Sequence, residues 1–212
     1  ALAYMALQIN ARVAPFDKLG VRLALQCAID RSEVLKTASG GQGTVVGPIT
    51  SPAYKSDPNA RPCPTPDLAK AKKYLADAGY PNGLTIKTMV APTQFAQASG
   101  IGQSLKAQLA KVGITMELDI VDDSTFVSRW LAADFGTSIA NNGGRIDPDT
   151  MYTRYFTSTG NLNKVAGYSS ATLDALFVKG KASGSSSVRK QVYADVTKEL
   201  ENNAVWIWLF SP

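Results

Sequence analysis

The sequence predicts an α/β layer fold in a single domain over residues 1–212, and three observations predict it. Short apolar strand-like segments alternate with amphipathic helical stretches, the order that builds a sheet flanked by helices. Ile114, Met116, Leu118 and Ile120 alternate with Thr115, Glu117 and Asp119, the period-two signature of a strand with one buried face. Glycines fall where the periodic segments stop, at Gly40-Gly41, Gly79 and Gly113. With 212 residues, 45% hydrophobic and 18% charged, the chain is long enough for one sizeable core.

The first segment, Tyr4 to Ile9, alternates enough to be a strand, and it lacks the basic leader and cleavage site of a signal peptide. Pro15 to Thr37 reads as one helix with Val21, Leu25, Ala28 and Ile29 on its buried face. From Gly41 to Pro64 no period is visible, and glycine and proline recur. So long an irregular stretch is expected to run over the surface or to contact something beyond the domain. Thr65 suits an N-cap, Pro66 the first helical position and Asp67 the first turn of a helix that buries Ala71, Leu75 and Ala78. Tyr80 to Gly83 is a turn and Leu84 to Val90 a strand. Pro92 to Val112 is a helix with Ile101, Leu105, Leu109 and Val112 in one stripe. After the strand Ile114 to Ile120, Asp123 or Ser124 caps a short helix carrying Phe126, Trp130 and Leu131. Gly136 to Ala140 is a short strand, and Asp147-Pro148-Asp149 opens another helix. Helices near Ala171 to Val178 and Ser187 to Asn202 follow, then a last strand, Val205 to Phe210. This strand and the first could pair, or both could lead into a neighbouring domain.

Composition excludes several functions. The net charge is +5, but Lys and Arg are scattered among acids, which reads as a solvated surface and not as a nucleic-acid footprint. There is no histidine, so serine or cysteine catalysis with a histidine base is excluded, and a structural zinc site has no ligand set. No cofactor and no metal are expected. No window approaches 18 consecutive apolar residues. Cys27 lies in an apolar helical stretch and reads as a buried thiol; a Cys27–Cys63 disulfide is the alternative in an oxidising compartment.

In open α/β sheets ligands sit outside the carboxyl ends of the strands. The strand Gly136 to Ala140 runs into Asn141, Asn142, Gly143, Gly144 and Arg145. Glycines let the backbone approach a ligand, asparagines donate and accept, and an arginine presents a fork suited to carboxylate or phosphate. The strand Leu84 to Val90 likewise delivers Gln94 and Phe95, after Thr93. The plainer readings are a turn at Gly143-Gly144, an ion pair of Arg145 with Asp147 or Asp149, and helix capping by Asp147. Trp130, Trp206 and Trp208 read as packing residues, one of which could reach a cleft.

Several segments carry a resemblance. Val21 to Arg31, VRLALQCAIDR, resembles the "VRxALxxAIDR" segment of the bacterial extracellular solute-binding proteins, family 5. In the same order, Gly47-Pro48-Ile49 is similar to its "GPIP", and Asp67 to Gly83 to "DPEKAKxLLAEAGYPDG". Gln108 to Ile114 is similar to "QLAKIGI", Asp147-Pro148-Asp149 to "DPD", Gly167 to Leu176 to "GYSNPEVDALL", and Ala204 to Phe210 to "AP-x-IPLY". The resemblance implies one lobe, the later one, of a class II periplasmic-binding-protein fold whose first lobe is absent from this chain. It implies a periplasmic or lipid-anchored receptor that closes on a small solute by a hinge motion and delivers it to an ABC permease. In the family's dipeptide binders an aspartate just before "DPD" holds the peptide amino group, where this chain has Gly144-Arg145. Arginines near the start of the helix before "AKIG" hold the carboxylate, where this chain has Ser99-Gly100. Both anchors for a zwitterionic peptide are thus missing, which argues against a simple peptide, and Arg145 in the cleft points to an anionic opine, organic acid or sugar acid; a peptide is the family's other solute class. A ligand-sensing module of a signalling protein is the alternative, and an enzyme is not expected.

Overall fold

The computed structural model describes residues 2–212. In chain order the elements are β1 (Tyr4–Ile9), α1 (Leu19–Ala28), α2 (Arg31–Ser39), β2 (Thr44–Val45), a 3₁₀ turn (Pro52–Tyr54), α3 (Leu68–Asp77), β3 (Leu84–Val90) and α4 (Ala98–Ala110). They continue with β4 (Ile114–Ile120), α5 (Asp123–Ala132), β5 (Thr137–Asn142), α6 (Pro148–Phe156), α7 (Asn163–Ala166), α8 (Ala171–Ala182), α9 (Ser186–Asn202) and β6 (Ile207–Ser211). The strands form one mixed sheet in the order β2-β6-β1-β5-β3-β4. β3 runs parallel to β4 and β5, while β1 runs antiparallel to β5 and β6. The first and last strands therefore pair with each other, Met5 opposite Phe210 and Ala6 opposite Trp208.

Position in the sheet explains the strand patterns. β1 and β6 are central, every residue of each is buried, and no alternation survives. β4 lies at the edge, so Ile114 and Met116 are buried while Ile120, at its carboxyl end, is 65% exposed. α4 packs on β3, β4 and β5, and α7 on β1. The core includes a cluster of Tyr155, Phe156, Trp206 and Trp208, with Phe156 edge-on to Trp206 at 5.0 Å. Trp206 and Trp208 are thus packing residues.

Several helix boundaries differ from the sequence reading. The helix expected over Pro15 to Thr37 is two, because Ile29 and Asp30 are extended and the Asp30 carboxylate accepts from the Ser32 and Glu33 amides, starting a second helix. α3 is capped by Asp67, which accepts from the Lys70 amide at 2.9 Å, so Thr65 and Pro66 lie outside the helix. Asp122, not Asp123 or Ser124, caps α5; bonds from Ser124 and Thr125 hold its carboxyl down at a pKa of about 2. α4 begins at Ala98, six residues after Pro92, and the one-turn α7 had no periodic signal.

The Gly/Pro-rich stretch lies on the surface only in part: Gly41 to Thr44, Pro52, Ala53, Lys55, Asp57 and Asn59 are exposed. Val46 to Ser51 are buried. Backbone groups without a ladder must find other partners. Arg31 donates to the carbonyls of Val46 and Pro58, and the Tyr152 hydroxyl donates to the Pro48 carbonyl. Arg61 donates to the Gln26 carbonyl and lies 3.6 Å from the Glu201 carboxylate. Cys27 is bonded to Cys63 with Cα atoms 5.0 Å apart, which replaces the reading of Cys27 as a free thiol.

Candidate functional site

β3 and β5 lie side by side with Thr88 opposite Thr137 and Met89 opposite Ser138, so their carboxyl ends emerge together. A depression of about 280 Å³ opens there. Phe95, which follows β3, meets Phe126 of α5 edge-on at 5.3 Å. Trp130 of α5 meets Tyr155 of α6 edge-on at 6.3 Å. These four rings line the depression together with Gln94, Asn141, Asn142, Gly143 and Arg154. Gln94, Gly143, Val127 and Leu131 are exposed parts of the lining.

The floor is held by a chain of polar bonds. The Trp130 indole Nε1 donates to Gln8 Oε1 at 2.6 Å. Gln8 Nε2 donates to Asn142 Oδ1 at 3.0 Å, and Asn142 Nδ2 donates to the Tyr4 hydroxyl at 3.4 Å. Burial pushes the Tyr4 pKa well up, so that hydroxyl stays neutral. The network fixes the Trp130 ring as a wall and commits the Asn142 amide to the fold. Asn141 is half-buried, and among the described residues its Nδ2 has only the Met5 sulfur at 3.6 Å, a weak acceptor, so its amide keeps most of its capacity for another partner.

The loop beyond separates into two parts. A Cβ on Gly143 would meet nothing within 4 Å, whereas one on Gly144 would stand 2.2 Å from the Leu2 Cβ. Gly143 thus faces open space, and Gly144 is required by the close pass of the chain over Leu2. Arg145 is exposed and does not line the depression. Asp147 caps α6 by accepting from the Asp149 amide, and its ion pair is with Arg189 of α9 at 2.9 Å. Arg189 also donates to the Gly180 carbonyl and to the Tyr54 hydroxyl. α6 is thereby anchored at its start, and with it Arg154 and Tyr155. Ser51 donates to the Ile146 carbonyl and ties the loop to the Gly/Pro-rich stretch. Burial raises the Asp149 pKa.

No group of three or more acids or cysteines among the described residues could hold a metal ion. A larger hollow of about 480 Å³ between α2, α3 and α4 lies away from these strand ends, and several of its polar groups are already engaged. Asp30 caps α2 there, and Gln108 bonds Asp30 and Ser104. Gly100, where the dipeptide binders would carry an arginine, packs against Ala38 of α2, whose Cα a Cβ would approach to 2.7 Å. Sequence reasoning missed Arg154, Tyr155 and Phe126 as lining residues; the available signal was a cation set among aromatics on α6, Tyr152-Thr153-Arg154-Tyr155-Phe156.

The fold, a mixed α/β sheet flanked by helices, is that of the periplasmic binding proteins. An AgaA structure in complex with agropinic acid, from A. tumefaciens R10, superposes with a TM-score of 0.85 at 26% identity, over 98% of this chain and 43% of that one. DppA from Helicobacter pylori in complex with the peptide STSA superposes with a TM-score of 0.87 at 25% identity, over 100% of this chain and 42% of that one. The chain belongs to the bacterial extracellular solute-binding proteins, family 5, whose middle region matches residues 1–163. Heme-binding protein A of Haemophilus influenzae is 27% identical over 97% of this chain and 38% of its own length. The glutathione-binding protein GsiB of Pectobacterium atrosepticum is 26% identical over 99% of this chain and 42% of its own length. The chain thus spans about two fifths of the length of these curated relatives. The family and these neighbours are binding proteins, not enzymes.

Proposed function

We propose that this chain is one lobe of a longer two-lobe receptor that captures a small solute outside the cytoplasm and hands it to an ABC permease in the membrane. The observation that carries the reading is the half-enclosed depression at the carboxyl ends of β3 and β5, walled by four aromatic rings. A solute held there would touch this lobe on one side only. Ile120, Val127, Leu131 and Ile146 are large apolar residues left exposed at or next to these strand ends, where a second lobe would cover them on closure. The Cys27–Cys63 disulfide favours an oxidising compartment. Gln94, Phe95, Asn141, Asn142 and Gly143 contribute to the solute surface, Asn142 through its backbone and its hold on Trp130. Gly144 and Arg145 stand behind it, Arg145 reaching the solute only if the loop moves on closure.

The neighbours' solutes, a peptide and an opine acid, set the candidate classes. A thermal-shift screen of the longer protein against peptides, opines, organic acids and sugar acids tests the reading, because a ligand of the native state raises the melting temperature. A saturable shift with one class is expected. No shift with any of them, together with no co-purified small molecule in native mass spectrometry, would sink the receptor reading.

A further inference from the structure

Arginine donors seek oxygen, and in this chain nearly all find it. Of its eight arginines, Arg12, Arg22, Arg31, Arg61, Arg129 and Arg189 each donate to a named carbonyl, amide or carboxylate oxygen. Arg145 has no such partner but is exposed, so water serves it. Arg61 also has an Nε and an Nη1 without a hydrogen-bond acceptor, but its Nε lies 3.6 Å from the Glu201 carboxylate. Arg154 has no carboxylate beside it among the described residues. It is half-buried on α6, and its Nε is shielded from solvent with no acceptor among the described residues. Its guanidinium carbon lies 5.4 Å from the centre of the Tyr155 ring, a contact that orients the fork without satisfying its N–H groups.

Arg154 lines the depression at the strand ends, and no residue lining that depression is acidic. Among the described residues it is also the only cation in the lining. A partly desolvated guanidinium with unused donors costs free energy that a bound carboxylate returns, because the planar fork donates two parallel charge-assisted bonds to its oxygens. We propose that Arg154 is the anion anchor of this depression, and that the solute presents a carboxylate to it while an apolar or planar part lies against Phe95, Phe126 and Trp130. The proposal rests on the reading of the depression as a solute site and names the chemistry it selects. It moves the anionic contact from the loop, where Arg145 suggested it, to a rigid helix. Precision favours the helix, since α6 is fixed at its start by Asp147 and Arg189.

Arg154→Gln and Arg154→Lys in the longer protein test it. For solutes that bind, affinity for the acidic ones should fall about 10- to 100-fold in Arg154→Gln, the range for a lost charged hydrogen-bond pair. Arg154→Lys, which keeps the charge but not the fork, should lose less. Amide derivatives of the same solutes should bind the wild type and Arg154→Gln equally. Equal affinity of an acidic solute for wild type and Arg154→Gln would overturn the proposal while leaving the receptor reading intact. Should no solute bind at all, the receptor reading fails, and a local measurement decides the anchor. In the ¹⁵N-arginine-labelled protein, the Nε–H resonance missing from Arg154→Lys is followed during titration with hippurate and with hippuramide. Movement with hippurate alone supports the anchor; movement with both, or with neither, overturns it.

Discussion

Two regions of this molecule gather polar groups among apolar ones, and they treat them in opposite ways. Around Cys27, Arg61 pairs with Glu201, Arg31 holds the Val46 and Pro58 carbonyls, and Gln26 donates to the Glu201 carbonyl while accepting from the Cys63 amide. The disulfide closes the same region. At the strand ends, Arg154 and Asn141 keep donors or acceptors without strong partners, and Gly143 faces open space. In the first region the charges are paired with each other, Arg61 Nε and Nη1 having no hydrogen-bond acceptor but the Glu201 carboxylate 3.6 Å away; in the second, Arg154 has no counter-ion among the described residues. Burial of charge therefore marks structure where the charges are mutually paired, and points to a ligand where one is left over.

The sharpest way to break this contrast is Arg61→Ala. It leaves Glu201 buried beside Arg31 alone and should cost about 3–5 kcal/mol in urea unfolding at pH 7. A cost below about 1 kcal/mol would show that the pair is not what closes the region. Replacing both cysteines by Ala comes next. The bond joins residues 36 apart, and its loss should cost about 2–4 kcal/mol by calorimetry or denaturant titration.

The third test is pH. Burial pushes the Glu201 pKa up to about 7, with Arg61 and Arg31 opposing. The folded state then binds a proton that the unfolded state releases, so stability is greatest below about pH 4.5 for this group and falls as pH rises towards 7. The Glu201→Gln protein should lose that slope, a difference of roughly 1–3 kcal/mol between pH 4.5 and 7. A wild-type slope unchanged in Glu201→Gln would assign the effect to other groups. The smallest effect separates two neighbouring glycines. Gly144→Ala should destabilise by about 1–3 kcal/mol through its collision with Leu2, while Gly143→Ala should stay within about 0.5 kcal/mol. Thermal unfolding of the two variants in parallel decides it.

Much of the fold was legible because apolar period and punctuation agree in the same segments. β3, β4, the body of α3 and the end of α9 follow from period and punctuation, although α3 is capped by Asp67 and not by Thr65. What spacing could not separate was α1 from α2, since Ile29 and Asp30 continue the helical period while Asp30 uses its carboxylate to start anew. The buried course of Val46 to Ser51 was invisible for another reason: its partners are Arg31 and Tyr152, far away in sequence. The strand ends were legible from topology, which directed attention to Asn141, Gly143, Gln94 and Phe95. The helix side was not. Arg154 sits inside a helix, where period speaks for packing, and only the tertiary fold shows that no oxygen meets it.

The pairing of β1 with β6 has a mechanical side. The strands are antiparallel, Met5 lies opposite Phe210, and the Ser211 hydroxyl donates to the Ala3 carbonyl at 2.7 Å. Both ends of the chain therefore leave the sheet at the same end of the same strand pair. A load applied through them would open that ladder like a zip, one hydrogen bond at a time, instead of shearing all of them together. A pull through those ends would loosen first the strand whose Gln8 holds Trp130 and Asn142 in place.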